Sequence, residues 1–202
     1  MKKLLRKPQA KLAVASQKID FQHLSRTNSA VPISLLLLIA FVATGWTFFQ
    51  GTLPPLTGIL FLLAGMLSFT LAEYLVHRFF YHMPTPDKWR ENLQMTIHGN
   101  HHAHPLDDEH LALPPFLSAP ISMMLIWLGY IVAGPGGIVF MSGFICGYAA
   151  YLSIHYIMHM YSPPKNFFKI LWRHHAIHHY RNNQVAFGVS SPVWDFVFGT
   201  MP

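Results

Sequence analysis

The sequence predicts an all-α integral membrane protein with four transmembrane helices arranged as two hairpins. Three observations carry that expectation. Of the 202 residues, 52% are apolar and only 11% charged, a balance that suits a bilayer better than water. Four apolar stretches, at 31–50, 56–76, 113–133 and 136 to about 158, each approach the ~20 residues a helix needs to cross a ~30 Å hydrocarbon core. GTLPP (51–55) joins the first two and GPGG (134–137) the last two, and Gly/Pro connectors this short suit tight helical hairpins.

The formal net charge of +6 is distributed as a topology signal. Lys2, Lys3, Arg6, Lys7, Lys11, Lys18 and Arg26 precede the first apolar stretch. Arg78, Lys88 and Arg90 follow the second, and Lys165, Lys169, Arg173 and Arg181 follow the fourth. Nothing here resembles a basic nucleic-acid footprint, and no nucleic-acid partner is expected. Two hairpins return the chain to one side, so the positive-inside rule places the N-terminus, 77–112 and 159–202 in the cytoplasm. Residues 1–29 read as a basic cytosolic leader against anionic lipid head groups, and 30–202 as a four-span domain capped by 77–112 and 159–202. A secretory signal peptide is not expected, because the basic region is long and a full span follows without a small-residue cleavage signal. Cys146, the lone cysteine, excludes an intramolecular disulfide and reads as a small buried hydrophobe.

The chemistry lies in the fourteen histidines, which fall in the cytoplasmic segments or at the helix ends entering them. Four groups stand out: HX4H (His77, His82), HX2HH (His98, His101, His102), HX3H (His155, His159) and HX2HH (His175, His178, His179). Spacings of three and four put side chains on one helix face with Cβ atoms ~5–6 Å apart, close enough to converge on a metal. His77 and His82, five apart, are expected not to share a face, the helix ending there ahead of Pro84 and Pro86. One such pair is weak evidence; four groups on one side of the membrane are specific to a metal centre. Ten nitrogen ligands are too many for one ion, so two ions are implied. Imidazole suits iron, copper, nickel and zinc alike. The Glu-x-x-His motif of carboxylate-bridged di-iron bundles is absent, and the embedded cysteine excludes thiolate ligation. What remains is an all-histidine dinuclear site on a cytosolic helical cap. Were the metals iron, O₂ activation would follow; redox-silent zinc could not perform it.

Glu73, one turn before His77, is costly near a membrane unless paired, and is expected to hydrogen-bond and orient a ligand imidazole. Asp195, in PVWDFVFGT, is a similar candidate. His104, His110 and His174 stand beside the pattern as neighbours, and His23 lies apart from it in the leader. Asp107, Asp108 and Glu109 read as a solvated acidic turn. Trp46, Trp89, Trp127, Trp172 and Trp194 mostly suit the interfacial belt.

The order HX4H, HX2HH, HX3H, HX2HH resembles the fatty acid hydroxylase/sterol desaturase superfamily of membrane di-iron enzymes, and most of all its fatty acid 2-hydroxylase branch. The resemblance rests on EYLVHRFFYHMP (73–84), HGNHHAHPLD (98–107), LPP (113–115) and HHAIHHYRNNQVAFGVSSPVWDFVFGT (174–200). It implies metal ligation by His77, His82, His98, His101, His102, His155, His159, His175, His178 and His179. It implies two iron ions, replaceable by zinc in a purified sample, and hydroxylation at C2 of a fatty acid or lipid-linked acyl group drawn from the bilayer. Relatives often carry a fused cytochrome b5 domain. This chain has no room for one, so a separate cytochrome b5-like or ferredoxin-like electron donor is expected. The rival expectations are a sterol- or carotenoid-type hydroxylase or desaturase on the same scaffold, a membrane metal transporter or metal-binding protein, and a haem protein with axial histidines.

Overall fold

A computed structural model describes residues 27–107, 109 and 111–202. The leader, His23, Asp108 and His110 lie outside the described residues or, for the leader, almost wholly so. All regular structure among the described residues is helical. Among the described residues, three helices are long and apolar enough to cross a membrane.

Helix α1 (Ala30–Phe49) starts where the Asn28 side-chain oxygen accepts the Ala30 N–H at 2.9 Å, and ends at Gly51, whose φ of +63° is left-handed. Helix α2 (Pro55–Val76) begins with proline at its first position, where the missing N–H costs nothing. It runs on into a π-helical turn, His77–Tyr81. The cap then forms α3 (Lys88–Gln94), capped by the Asp87 side chain on the Arg90 N–H, a second π turn (Met95–Gly99) and the single-turn α4 (Asn100–Ala103).

The last two expected spans form one 46-residue helical run, α5 (Pro115–Met160), broken at Ala133 (φ −139°, ψ 19°) and Gly134 (φ 58°, ψ −140°). The run folds back on itself there. A Cβ placed on Gly137 would lie 1.9 Å from the Gly129 carbonyl oxygen, whereas eight residues along a straight helix are separated by about 12 Å. Gly134 supplies the left-handed φ, and Pro135 restarts the helix without needing a donor. Helices α6 (Lys169–Tyr180) and α7 (Val193–Val197) complete the cap.

The core lies where α1 and α2 pack on the second arm of α5. Leu36 and Ala40 meet Ile145, Ala149 and Leu152, with Cys146 partly buried against them. Small residues let backbones touch, as membrane helices require when lipid is as apolar as leucine. A Cβ on Gly143 would sit 2.1 Å from the Leu62 carbonyl oxygen, and one on Gly65 1.9 Å from that of Phe140. The obstacle is backbone, which cannot rotate away. Gly143→Ala is therefore expected to separate α2 from α5 and cost about 1–3 kcal/mol, read as a lower unfolding midpoint in detergent. Large apolar side chains such as Phe41, Phe49, Leu60 and Val132 face outward from this bundle.

Candidate metal centre

The histidines of the four sequence groups converge into two clusters of five. His77, His82, His98, His102 and His178 offer nitrogens all within 4.8 Å of one another, and so do His101, His155, His159, His175 and His179. The local structure explains the division. His98 and His102, four apart, face the first cluster while His101 between them faces the second. On α6 the roles reverse: His175 and His179, four apart, face the second cluster and His178 the first. Each HX2HH motif thus serves both clusters. His155 and His159 enter the second from one face at the end of α5.

The expectation that His77 and His82 diverge is overturned. In the π turn, bonds run five residues back, and the His82 N–H donates to the His77 carbonyl at 3.2 Å. The widened turn brings residues five apart onto one face, so the two rings lie 5.2 Å apart between centroids. The second π turn likewise ends beside His98. One-turn π segments recur at functional sites.

Several nitrogens face each other directly. His77 Nε2 is 3.1 Å from His98 Nε2, which is 2.9 Å from His102 Nε2. His82 and His178 Nε2 are 3.0 Å apart, and His159 and His175 Nε2 2.8 Å. Two nitrogens bound at right angles to one ion, each ~2.1 Å away, would be separated by roughly 3 Å. In the second cluster, buried nitrogens of His101, His155, His175 and His179 lack a protein partner, an expensive arrangement for groups with nothing to bind. The donor set fits a pair of imidazole-ligated metal ions.

Burial, and then the neighbouring imidazoles, hold the rings neutral. His82 is lowered to about 4 and His102 to about 3, while His98 and His175 fall well below the usual histidine range. Neutral imidazole is the ligating form. An unfolded chain binds these protons near the ordinary histidine value of about 6.5 and the folded one only below about 4, as for His82, so folding releases protons. Stability should therefore rise with pH across that window and fall as pH drops from 6.5 towards 4. Metal retention should fall with it, which a chelator assay and thermal unfolding at stepped pH will check.

The two carboxylates are buried, and the hydrogen bonds they accept come from outside the two clusters. Glu73 accepts the Val189 and Ser190 N–H groups at 2.6 and 2.9 Å and the Ser190 hydroxyl, rather than the expected imidazole. The turn of α2 before His77 faces the segment 189–190, whose amides meet the carboxylate first. Asp195 accepts from Phe187 N (2.8 Å), Gly188 N (2.7 Å), Thr200 Oγ1 (2.7 Å) and His174 Nε2 (3.0 Å). Burial pushes the Asp195 carboxyl up, but the bonds from His174, Thr200, Gly188 and Phe187 outweigh it and leave it below the usual range. His174 is buried against Asp195 and belongs to neither cluster, and His104 is exposed. The Asp107 carboxylate accepts the Glu109 N–H at 3.1 Å within the acidic turn.

Sequence reasoning missed the segment 185–190. The Phe187 carbonyl accepts from His77 Nδ1 at 2.6 Å and the Val185 carbonyl from His178 Nδ1 at 2.8 Å. These bonds place the proton on Nδ1 and free Nε2 for a metal. Main-chain carbonyls leave no mark in a sequence. Two cavities adjoin the clusters. One, of about 310 Å³, reaches from His77 and Tyr81 down between α2 and α5 past Phe69, Leu125 and Phe144. Another, of about 650 Å³, lies on the cap against His159, His175 and His179.

Fold and site together define a protein of membrane type, helical in the regular structure of its described residues, whose histidines form two clusters able to hold metal ions. The chain belongs to the fatty acid hydroxylase family, whose model matches residues 61–200. It is 37% identical over 139 residues to the dihydroceramide fatty acyl 2-hydroxylase FAH2 of Arabidopsis thaliana, covering 68% of this chain and 59% of that protein. It is 31% identical over 174 residues to FAH1 of the same plant, covering 86% and 73%. It also resembles the solved structure of full-length scs7p, in which only the hydroxylase domain is visible. The TM-score is 0.80 at 28% identity, over 89% of this chain and 69% of that one. The chain thus spans about three fifths of the first of these relatives.

Proposed function

We propose that this protein is a membrane di-iron monooxygenase that hydroxylates an acyl chain at C2, on a fatty acid or a lipid-linked acyl group. The balanced reaction is R–H + O₂ + 2 e⁻ + 2 H⁺ → R–OH + H₂O, with the electrons delivered by a cytochrome b5-like or ferredoxin-like donor. One observation carries the reading: two adjoining clusters of five neutral imidazoles, with an apolar cavity running from the helical bundle to His77 at their edge. The names of the relatives, fatty acyl 2-hydroxylases, support the position of attack.

His77, His82, His98, His102 and His178 would hold one iron, and His101, His155, His159, His175 and His179 the other. Two bound irons would supply O₂ activation strong enough to attack an unactivated C–H bond. The protein's own part is positional. Phe69, Leu125 and Phe144 take the acyl chain out of water, and Phe187 and Val185 hold two ligand rings in register. Four membrane crossings fit the reversal within α5, since each arm approaches the length of a span. The positive-inside rule then puts both termini and the metal centre on the cytoplasmic side.

Lipid mass spectrometry of cells with and without the protein tests the function. The expected result is 2-hydroxy acyl chains that appear only with the protein; unchanged 2-hydroxy content would sink the assignment. Ser122 lines the cavity wall and is buried. Ser122→Leu narrows the cavity and should shift the product distribution to shorter chains, read in the same spectra.

A further inference from the structure

We propose that the two histidine clusters are unequal: residues 185–190 form a strap that preorganises the cluster around His77 and His178, making it the tighter of two metal positions. Glu73 and Asp195 are positioning residues that act through this strap. The inference rests on reading both clusters as metal positions, as proposed above.

The strap is held from one side and used from the other. Its amides are taken up by carboxylates: Phe187 and Gly188 donate to Asp195, and Val189 and Ser190 to Glu73. Its carbonyls at Val185 and Phe187 accept from the Nδ1 atoms of His178 and His77. Phe187 is engaged at both ends, its N–H on a carboxylate and its C=O on an imidazole. Such chains polarise each bond in them and strengthen the next. Ala186, between the two carbonyl acceptors, has a φ of +60° and is fully buried, with its N–H on the Thr200 carbonyl at 2.9 Å. A non-glycine residue persists there only where its surroundings over-determine it. The strap is rigid by construction.

The other cluster has no such support. Nδ1 of His101, His155, His175 and His179 is buried without a protein partner. Every buried histidine nitrogen lacking a partner, among the described residues, belongs to this cluster. Its rings are placed by helical spacing on α5 and α6 and by packing on one another, as in the 4.4 Å contact between His175 and His179. With no hydrogen bond to fix the proton on Nδ1 of these four rings, their tautomers are set only when a metal binds.

The test is metal release. The purified 202-residue chain in detergent, loaded with zinc alone, is challenged with a colorimetric chelator. The wild type is expected to release two zinc ions per chain in two phases of one each. Glu73→Gln should speed the slow phase by about 10–100-fold, the usual effect of losing an outer partner of a ligand, and leave the fast phase within about twofold. Ser190→Ala, a milder variant at a partly exposed site, should speed the same phase less. His155→Ala should delete the fast phase only. A purely structural role for Glu73 would accelerate both phases together, and that result overturns the proposal. Release of both ions in one phase overturns it as well, while leaving the two-metal reading intact. A wild-type chain that binds no zinc overturns both.

Discussion

On the proposed assignment, His178→Ala should abolish 2-hydroxylation and lower bound metal from two ions per chain towards one. The imidazole is fully buried, its Nε2 is 3.0 Å from His82 Nε2 and its Nδ1 is anchored on the Val185 carbonyl. The other clustered histidines of the same helix, His175 and His179, face the second cluster. Removing His178 would delete a proposed ligand and release the strap carbonyl at once. The activity loss should therefore exceed the ~10–100-fold that removal of an outer partner alone costs. Metal analysis of anaerobically purified protein, paired with product mass spectrometry, reads both effects. Unchanged metal content would exclude His178 as a ligand.

Asp195→Ala should be the most destabilising single change on the cap. Its carboxylate is wholly buried and accepts from His174, Phe187, Gly188 and Thr200. Alanine would leave those donors without an acceptor, and deleting one partner of a buried charged network costs about 3–5 kcal/mol. Asp195→Asn keeps one acceptor oxygen and should cost less. The measurement is the thermal unfolding midpoint of the metal-free protein, which separates lost stability from lost metal. Equal midpoints for the wild type and Asp195→Ala would show that the network contributes nothing.

The comparison with His174 shows how far residue spacing reaches. In RHHAIHHY (173–180) the i, i+3, i+4 pattern selects His175, His178 and His179, and those three enter the clusters while His174 turns to Asp195. Spacing succeeds there because α6 is a regular helix, in which position dictates direction. It fails at His77 and His82, where a π turn changes the period over five residues. It also fails at Glu73, whose partners come from a segment more than a hundred residues away.

What the sequence by itself determined was therefore local: the apolar helices, the reversal at Gly134–Pro135, the family and the set of histidines that gather. Hydropathy and helical period act within one or two turns, so they can be read along the chain. Tertiary structure alone decided the rest. It split each HX2HH motif between two clusters, seated His174 on Asp195, and placed the 185–190 carbonyls behind His77 and His178. Those arrangements depend on which helix faces meet, and on backbone groups that every residue carries alike.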